Sequence, residues 1–331
     1  MSPIRRALAG ACAGLLAASL AGCADSPLPE PSSAASYQGP AITDDRLAEV
    51  INAIGEEVVA ADAAQDPEQL KLRMTGAALA ARSAQYTLAT KSEGDRKPTA
   101  LSFAPQLLMV PALADFPRHA AFVSSVPEGH NSPVLVSLVQ EQARTPYHVD
   151  HWARLFPGVT FPQMPSTQEG VTSLAIDDTS LKTTPADALA SYQAAINEPA
   201  GDTAKALGAD PLRTSIQETV KALTDSLAEV GEASWTAGPP GEDIIALRTA
   251  DGGAVVLGTV PTTLELKKTV RRAKLQISDD LATLAGDEPV ANTLKASYQI
   301  MVALYVPAKD SDESIAPLGG EQVLLKATRD E

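Results

Sequence analysis

Apolar side chains recur every three or four residues at Leu47, Val50, Ile51, Ile54 and Val58, the spacing of one buried helical face, and Thr43 stands where an N-cap belongs. Asp66-Pro67-Glu68-Gln69 predicts a restart, with Asp66 as the cap, Pro67 at the first helical position and Gln69 reaching back as in a capping box. A third helix over residues 76–90 would turn Leu79, Ser83 and Tyr86 to one side. After Gly94 and Pro98 the period shortens. Residues 107–110, 119–126, 134–140 and 147–155 are rich in Val, Leu and aromatics between Pro, Gly and Asn turns, which predicts strands.

Residues 158–183 carry little pattern beyond a short apolar run and read as a linker. The order then repeats. Thr184-Pro185-Ala186-Asp187 opens a helix with Leu189, Tyr192 and Ile196 inward, and Asp210-Pro211 opens another with Leu212, Ile216, Val220, Leu223, Leu227 and Val230 on one face and Gly231 as its stop. Strands are expected at 233–237, 244–249, 254–260, 262–270, 274–278, 292–306 and 322–327, with Asp251-Gly252-Gly253 as a hairpin turn. Helices followed by runs of strands predict an α+β class in two tandem domains, 41–157 and 184–331, each with N-terminal helices packed on an antiparallel meander. That layout is similar to the cone-shaped folds of the nuclear-transport-factor-like group, a likeness of fold that implies no function.

The N-terminus follows a different logic. Arg5 and Arg6 precede an apolar run over residues 7–20, too short for the roughly 20 residues that span a hydrocarbon core, so residues 1–22 read as a signal. Leu20, Ala21, Gly22 and Cys23 resemble the lipobox of bacterial lipoproteins. The resemblance implies cleavage before Cys23, acylation of its sulfur, and a bilayer as partner at the outer face of the cytoplasmic membrane. Residues 23–40, rich in Pro, Ser and Ala, would be a disordered tether with a reach on the order of 20 to 25 Å. The runs at 247–258 and 302–307 resemble a family of uncharacterised actinobacterial lipoproteins, which has no assigned activity.

Charge narrows the partners. The chain has 26 Lys+Arg against 41 Asp+Glu, and loss of Arg5 and Arg6 with the signal takes the net charge from −15 to −17. Phosphate backbones repel such a body, which argues against nucleic acid. The other cysteine, Cys12, lies in the signal, so the mature chain can form no internal disulfide.

Candidate chemistry is sparse. His148, Asp150 and His151 lie together beside Trp152, but regular strand alternation would put His148, Asp150 and Trp152 on one face and His151 on the other. His148 and Asp150 are the candidate polar site, and no metal or other cofactor is expected. Lys267, Lys268, Arg271, Arg272 and Lys274 form the one dense basic cluster, a docking candidate for a wall polymer or partner, with a turn expected near 271–273. Residues 310–321 begin like a calcium loop with Glu321 in twelfth place, yet Ile315 occupies the position that requires Gly. No G-x-S-x-G, S-x-x-K, H-E-x-x-H or phosphate loop occurs. The expectation is therefore a non-enzymatic lipoprotein that binds a small molecule, wall polymer or membrane protein. An extracytoplasmic enzyme with dispersed polar residues and an accessory subunit of a membrane complex are the alternatives.

Overall fold

The computed structural model describes residues 39–112, 115–277, 279–286 and 289–330; Leu20, Ala21, Gly22 and Cys23, and the tether as far as residue 38, lie outside the described residues. In chain order the elements are α1 (Asp44–Ala64), α2 (Pro67–Leu70), α3 (Gly76–Lys91), β1 (Pro105–Met109), β2 (Arg118–Ser124), β3 (Val134–Gln140) and β4 (His148–Arg154). Then come α4 (Pro185–Asn197), α5 (Asp202–Leu207), α6 (Pro211–Leu227), β5 (Gly231–Ala237), β6 (Ile245–Arg248), β7 (Ala254–Lys268), α7 (Asp279–Ala285), β8 (Thr293–Val306) and β9 (Ala316–Arg329). The class is α+β.

Four side chains start helices as their spacing predicts. Thr43 accepts from the Arg46 N–H, Asp66 from Glu68, Thr184 from Asp187 and Asp210 from Arg213, each satisfying a donor that has no partner within its helix. The buried faces differ more. In α3 the face is Ala78, Ala81, Arg82 and Tyr86, while Leu79 and Ser83 are half-buried, because the alanines let the helix lie close to its neighbours. In α6 only Arg213, Ile216 and Leu227 are buried, and Gly231 opens β5 instead of ending the helix.

The first sheet is an antiparallel meander in the order β1-β2-β3-β4; the second has the order β5-β7-β8-β9, with β6 also paired to β7. Strand β7 is continuous where two were expected. Pro261 sits inside it, opposite Gln299 of β8. It is tolerated because β6 pairs with residues 254–257 and β5 with residues 262–268, so the missing N–H falls where the covering strand changes. There the Pro261 carbonyl accepts from the Gly238 N–H at 2.8 Å. The strand expected from Lys274 is reduced to one bridge, Leu275 to Val290.

Alternate residues divide the core into layers. Phe122, Val136, Leu138, Val149 and Trp152 pack beneath α1 and α3. On the other face of the same sheet, Ala121, Leu135 and Ala153 meet Leu247, Val255, Leu257 and Ala303 of the second sheet. The far face of that second sheet, with Val256, Val260, Val302 and Leu304, carries Leu189, Tyr192 and Ile216 of α4 and α6. The molecule is thus layered helix, sheet, sheet, helix, and residues 39–331 form one compact unit.

Residues 158–183, expected as a linker, are stitched into this unit. Val171 bridges Pro111, Ser173 bridges Leu247 and Leu181 bridges Ala308. The open edge of β4 is closed likewise: Met74 pairs with Val149 and Gly319 with Leu155. The halves keep the expected helix-then-strand order, but neither owns a separate core.

At the Leu155–Gly319 bridge a Cβ on Gly319 would stand 2.4 Å from the Arg154 carbonyl oxygen and 2.9 Å from Leu155 Cα, both backbone atoms. Gly238, by contrast, has no atom nearer than 3.5 Å to such a Cβ. Gly319→Ala should therefore cost about 1–3 kcal/mol in urea unfolding, as overpacking does, while Gly238→Ala stays within about 0.5 kcal/mol of wild type.

Candidate functional site

Strand β4 is not regular. Its register against β3 runs from Ser137↔His151 to Leu138↔Val149, leaving Asp150 as an extra residue in a β-bulge. The bulge resets the alternation after Val149, so Val149 and Trp152 both pack toward the helices while Asp150 and His151 share the opposite side. The expected grouping of His148, Asp150 and Trp152 on one face is therefore corrected. Asp150 accepts from the Ser137 hydroxyl at 2.5 Å and from the His151 N–H at 3.1 Å. Nδ1 of His151 lies 3.3 Å from the second Asp150 oxygen, within ion-pair reach, and Nε2 has no hydrogen-bond partner among the described residues.

Asp150 and His151 line a cavity of about 410 Å³ with Thr75, His119, Glu141, Glu242 and Asp243. His148 lines no part of it. Burial and the Arg73 guanidinium hold the His148 ring below its ordinary pKa. Burial alone would raise the Asp150 carboxyl, but His151, Ser137 and His119 more than offset it and hold the group below the usual carboxylate range. Among the described residues no three His, Cys, Asp or Glu side chains are placed to hold a metal ion. Glu321, the twelfth position of the calcium-like stretch, lies on β9, 3.8 Å from the Arg154 guanidinium.

A second cavity, of about 500 Å³, opens at the same end of the first sheet. Arg118 and Gln140, opposite each other in the β2–β3 register, line it, whereas their neighbours His119, Val139 and Glu141 line the cavity just described. Period-two alternation thus sorts a basic recess from an acidic one. The basic recess takes Arg46 from α1, Arg73 from the turn after α2, Arg118 from β2 and Arg144 from the β3–β4 hairpin. Arg46 is paired with Glu49 at 2.6 Å, and Arg118 lies over the Phe116 ring at 4.1 Å. These four residues are scattered in the sequence, and local reading passes over them.

The basic cluster stands where expected. Lys267 and Lys268 end β7, and Arg271, Arg272 and Lys274 are exposed in and after the turn that follows.

The acidic cavity makes a pH prediction. Burial, only partly opposed by Asp150 and Glu141, holds His119 below its ordinary value of 6.5. The unfolded chain therefore takes up this proton first. Stability is full above about pH 6.5 and falls as the pH drops toward the folded pKa. His119→Gln should flatten the decline in urea midpoint between about pH 7 and 5; an unchanged slope would contradict this account.

No curated protein and no solved structure matches the chain. A family model does, over residues 38–329. The chain belongs to the family described as a domain of unknown function (DUF8094).

Proposed function

We propose that the protein is a lipid-anchored extracytoplasmic binding protein, held at the outer face of the cytoplasmic membrane through acylated Cys23 and acting by binding rather than by catalysis. The single observation that carries binding is the pair of polar recesses, basic and acidic, on opposite faces of one sheet end. Recesses of this size suit small ligands with a few charged groups. The hydroxyl bound to Asp150 favours the same reading. Ser137 donates to the Asp150 carboxylate and not to an imidazole nitrogen, the reverse of the arrangement that activates a serine.

Anchoring rests on the Leu20-Ala21-Gly22-Cys23 motif. One acyl chain binds a bilayer marginally, at about 0.8 kcal/mol per buried methylene, while two or three hold firmly. None of the described helices is long and apolar enough to cross a membrane. The exposed turn of Arg271, Arg272 and Lys274 is a secondary docking surface for an anionic wall polymer or a membrane protein.

Cys23→Ser should move the protein from the membrane to the soluble fraction of cells, with its circular dichroism unchanged. Membrane association that survives the substitution would overturn the anchor.

A further inference from the structure

Resting on the binding reading above, we infer that the arginine-lined cavity is a site for a phosphate-bearing small ligand. The body around it is strongly acidic, and after residue 22 the chain has twelve arginines. Four of them line this one recess, where Glu49 is the only carboxylate among the described residues, and Glu49 is already bound to Arg46. Arg73 and Arg144 have no ion-pair or hydrogen-bond partner for their guanidinium groups among the described residues. Arg73 and Arg144, brought to one recess from separate elements, are therefore the cations left to be neutralised, and an anion between them would do so.

A buried polar group points to the same ligand. Tyr147 also lines the cavity and is only 4% exposed; its hydroxyl lies beside the Arg118 guanidinium, and its own proton finds no acceptor among the described residues. A buried hydroxyl proton without an acceptor costs free energy that an oxyanion accepting it would recover. Phosphate is favoured over carboxylate by donor number. A carboxylate is satisfied by one guanidinium fork, whereas a phosphate ester offers three oxygens to several forks and a hydroxyl. Ile42, Val50 and Pro146 supply an apolar wall, so the phosphate is expected to carry an organic group. A soluble phosphate ester and an anionic phospholipid headgroup share this chemistry.

The test uses the mature chain carrying Cys23→Ser, so that no acyl group can hold it to vesicles and the outcome is independent of the anchor. Calorimetry with inorganic phosphate, glycerol 3-phosphate and succinate is run beside co-sedimentation with phosphatidylcholine vesicles, with and without phosphatidylglycerol. Saturable binding of glycerol 3-phosphate or of phosphatidylglycerol vesicles is expected, the first marking a soluble ligand and the second a headgroup. Arg73→Ala with Arg144→Ala should weaken it at least about tenfold at an unchanged unfolding temperature. Tyr147→Phe should weaken it less, and Arg73→Lys with Arg144→Lys should fall between the alanine pair and wild type. Three results would overturn the inference: no binding of any phosphate probe at millimolar concentration, equal binding by the alanine pair, or tighter binding of succinate than of glycerol 3-phosphate. Loss of phosphate binding with continued membrane attachment of the lipidated chain would leave the anchor standing, and the reverse would leave the cavity.

Discussion

Everything in this molecule depends on the second sheet being buried on both faces. Strands β7 and β8 must be apolar at successive residues, since Val255, Leu257 and Ala303 face the first sheet while Val256, Val302 and Leu304 face α4 and α6. A strand with only one apolar parity could support one neighbour layer; these support two. The same constraint explains where side chains are absent. At Gly258 a Cβ would fall 2.4 Å from a Leu189 methyl, so α4 rests directly on the strand.

Each set of helices is also fastened by an ion pair with a tyrosine, fully buried at Arg213–Asp210 and with only the arginine buried at Arg82–Asp62. Arg82, 2% exposed, donates to Asp62, to the Thr99 carbonyl and to Gln85, and Tyr86 donates to the same aspartate. In the second half Arg213 pairs with Asp210, and Tyr192 donates to Asp210 at 3.3 Å. Burial raises both phenols, Tyr86 and Tyr192, so both stay protonated as donors. Such pairs add little net stability, because desolvation offsets attraction. Removing one partner, however, leaves a buried charge at a cost of about 3–5 kcal/mol. Their geometry favours one seating of each helix, in a chain that has no cysteine after residue 23.

What could be read from the sequence was what is decided locally. The caps at Thr43, Asp66, Thr184 and Asp210 are set by neighbours two or three residues away, and β3 has the predicted bounds because its turns flank it directly. Residues 158–183 read as a linker because Val171, Ser173 and Leu181 find their partners across the fold, leaving no periodic trace. Pro261 looked like a strand end, since only the change from β6 to β5 makes it harmless. Strand alternation groups Asp150 with His148 and Trp152, whereas the fold groups it with other residues. His119 and His151 join it through a register shift that no alternation pattern reveals, and the four arginines meet only when four elements do.

That register shift imposes an arithmetic on β4. Deleting Asp150 would restore plain alternation with Val149 and Trp152 still under α1 and α3, whereas straightening the strand at its present length would turn the indole of Trp152 toward the carboxylates. Descendants of this chain can therefore drop the bulge residue and keep both layers, while a one-residue change elsewhere in β4 inverts the side chains beyond it unless a second bulge absorbs it.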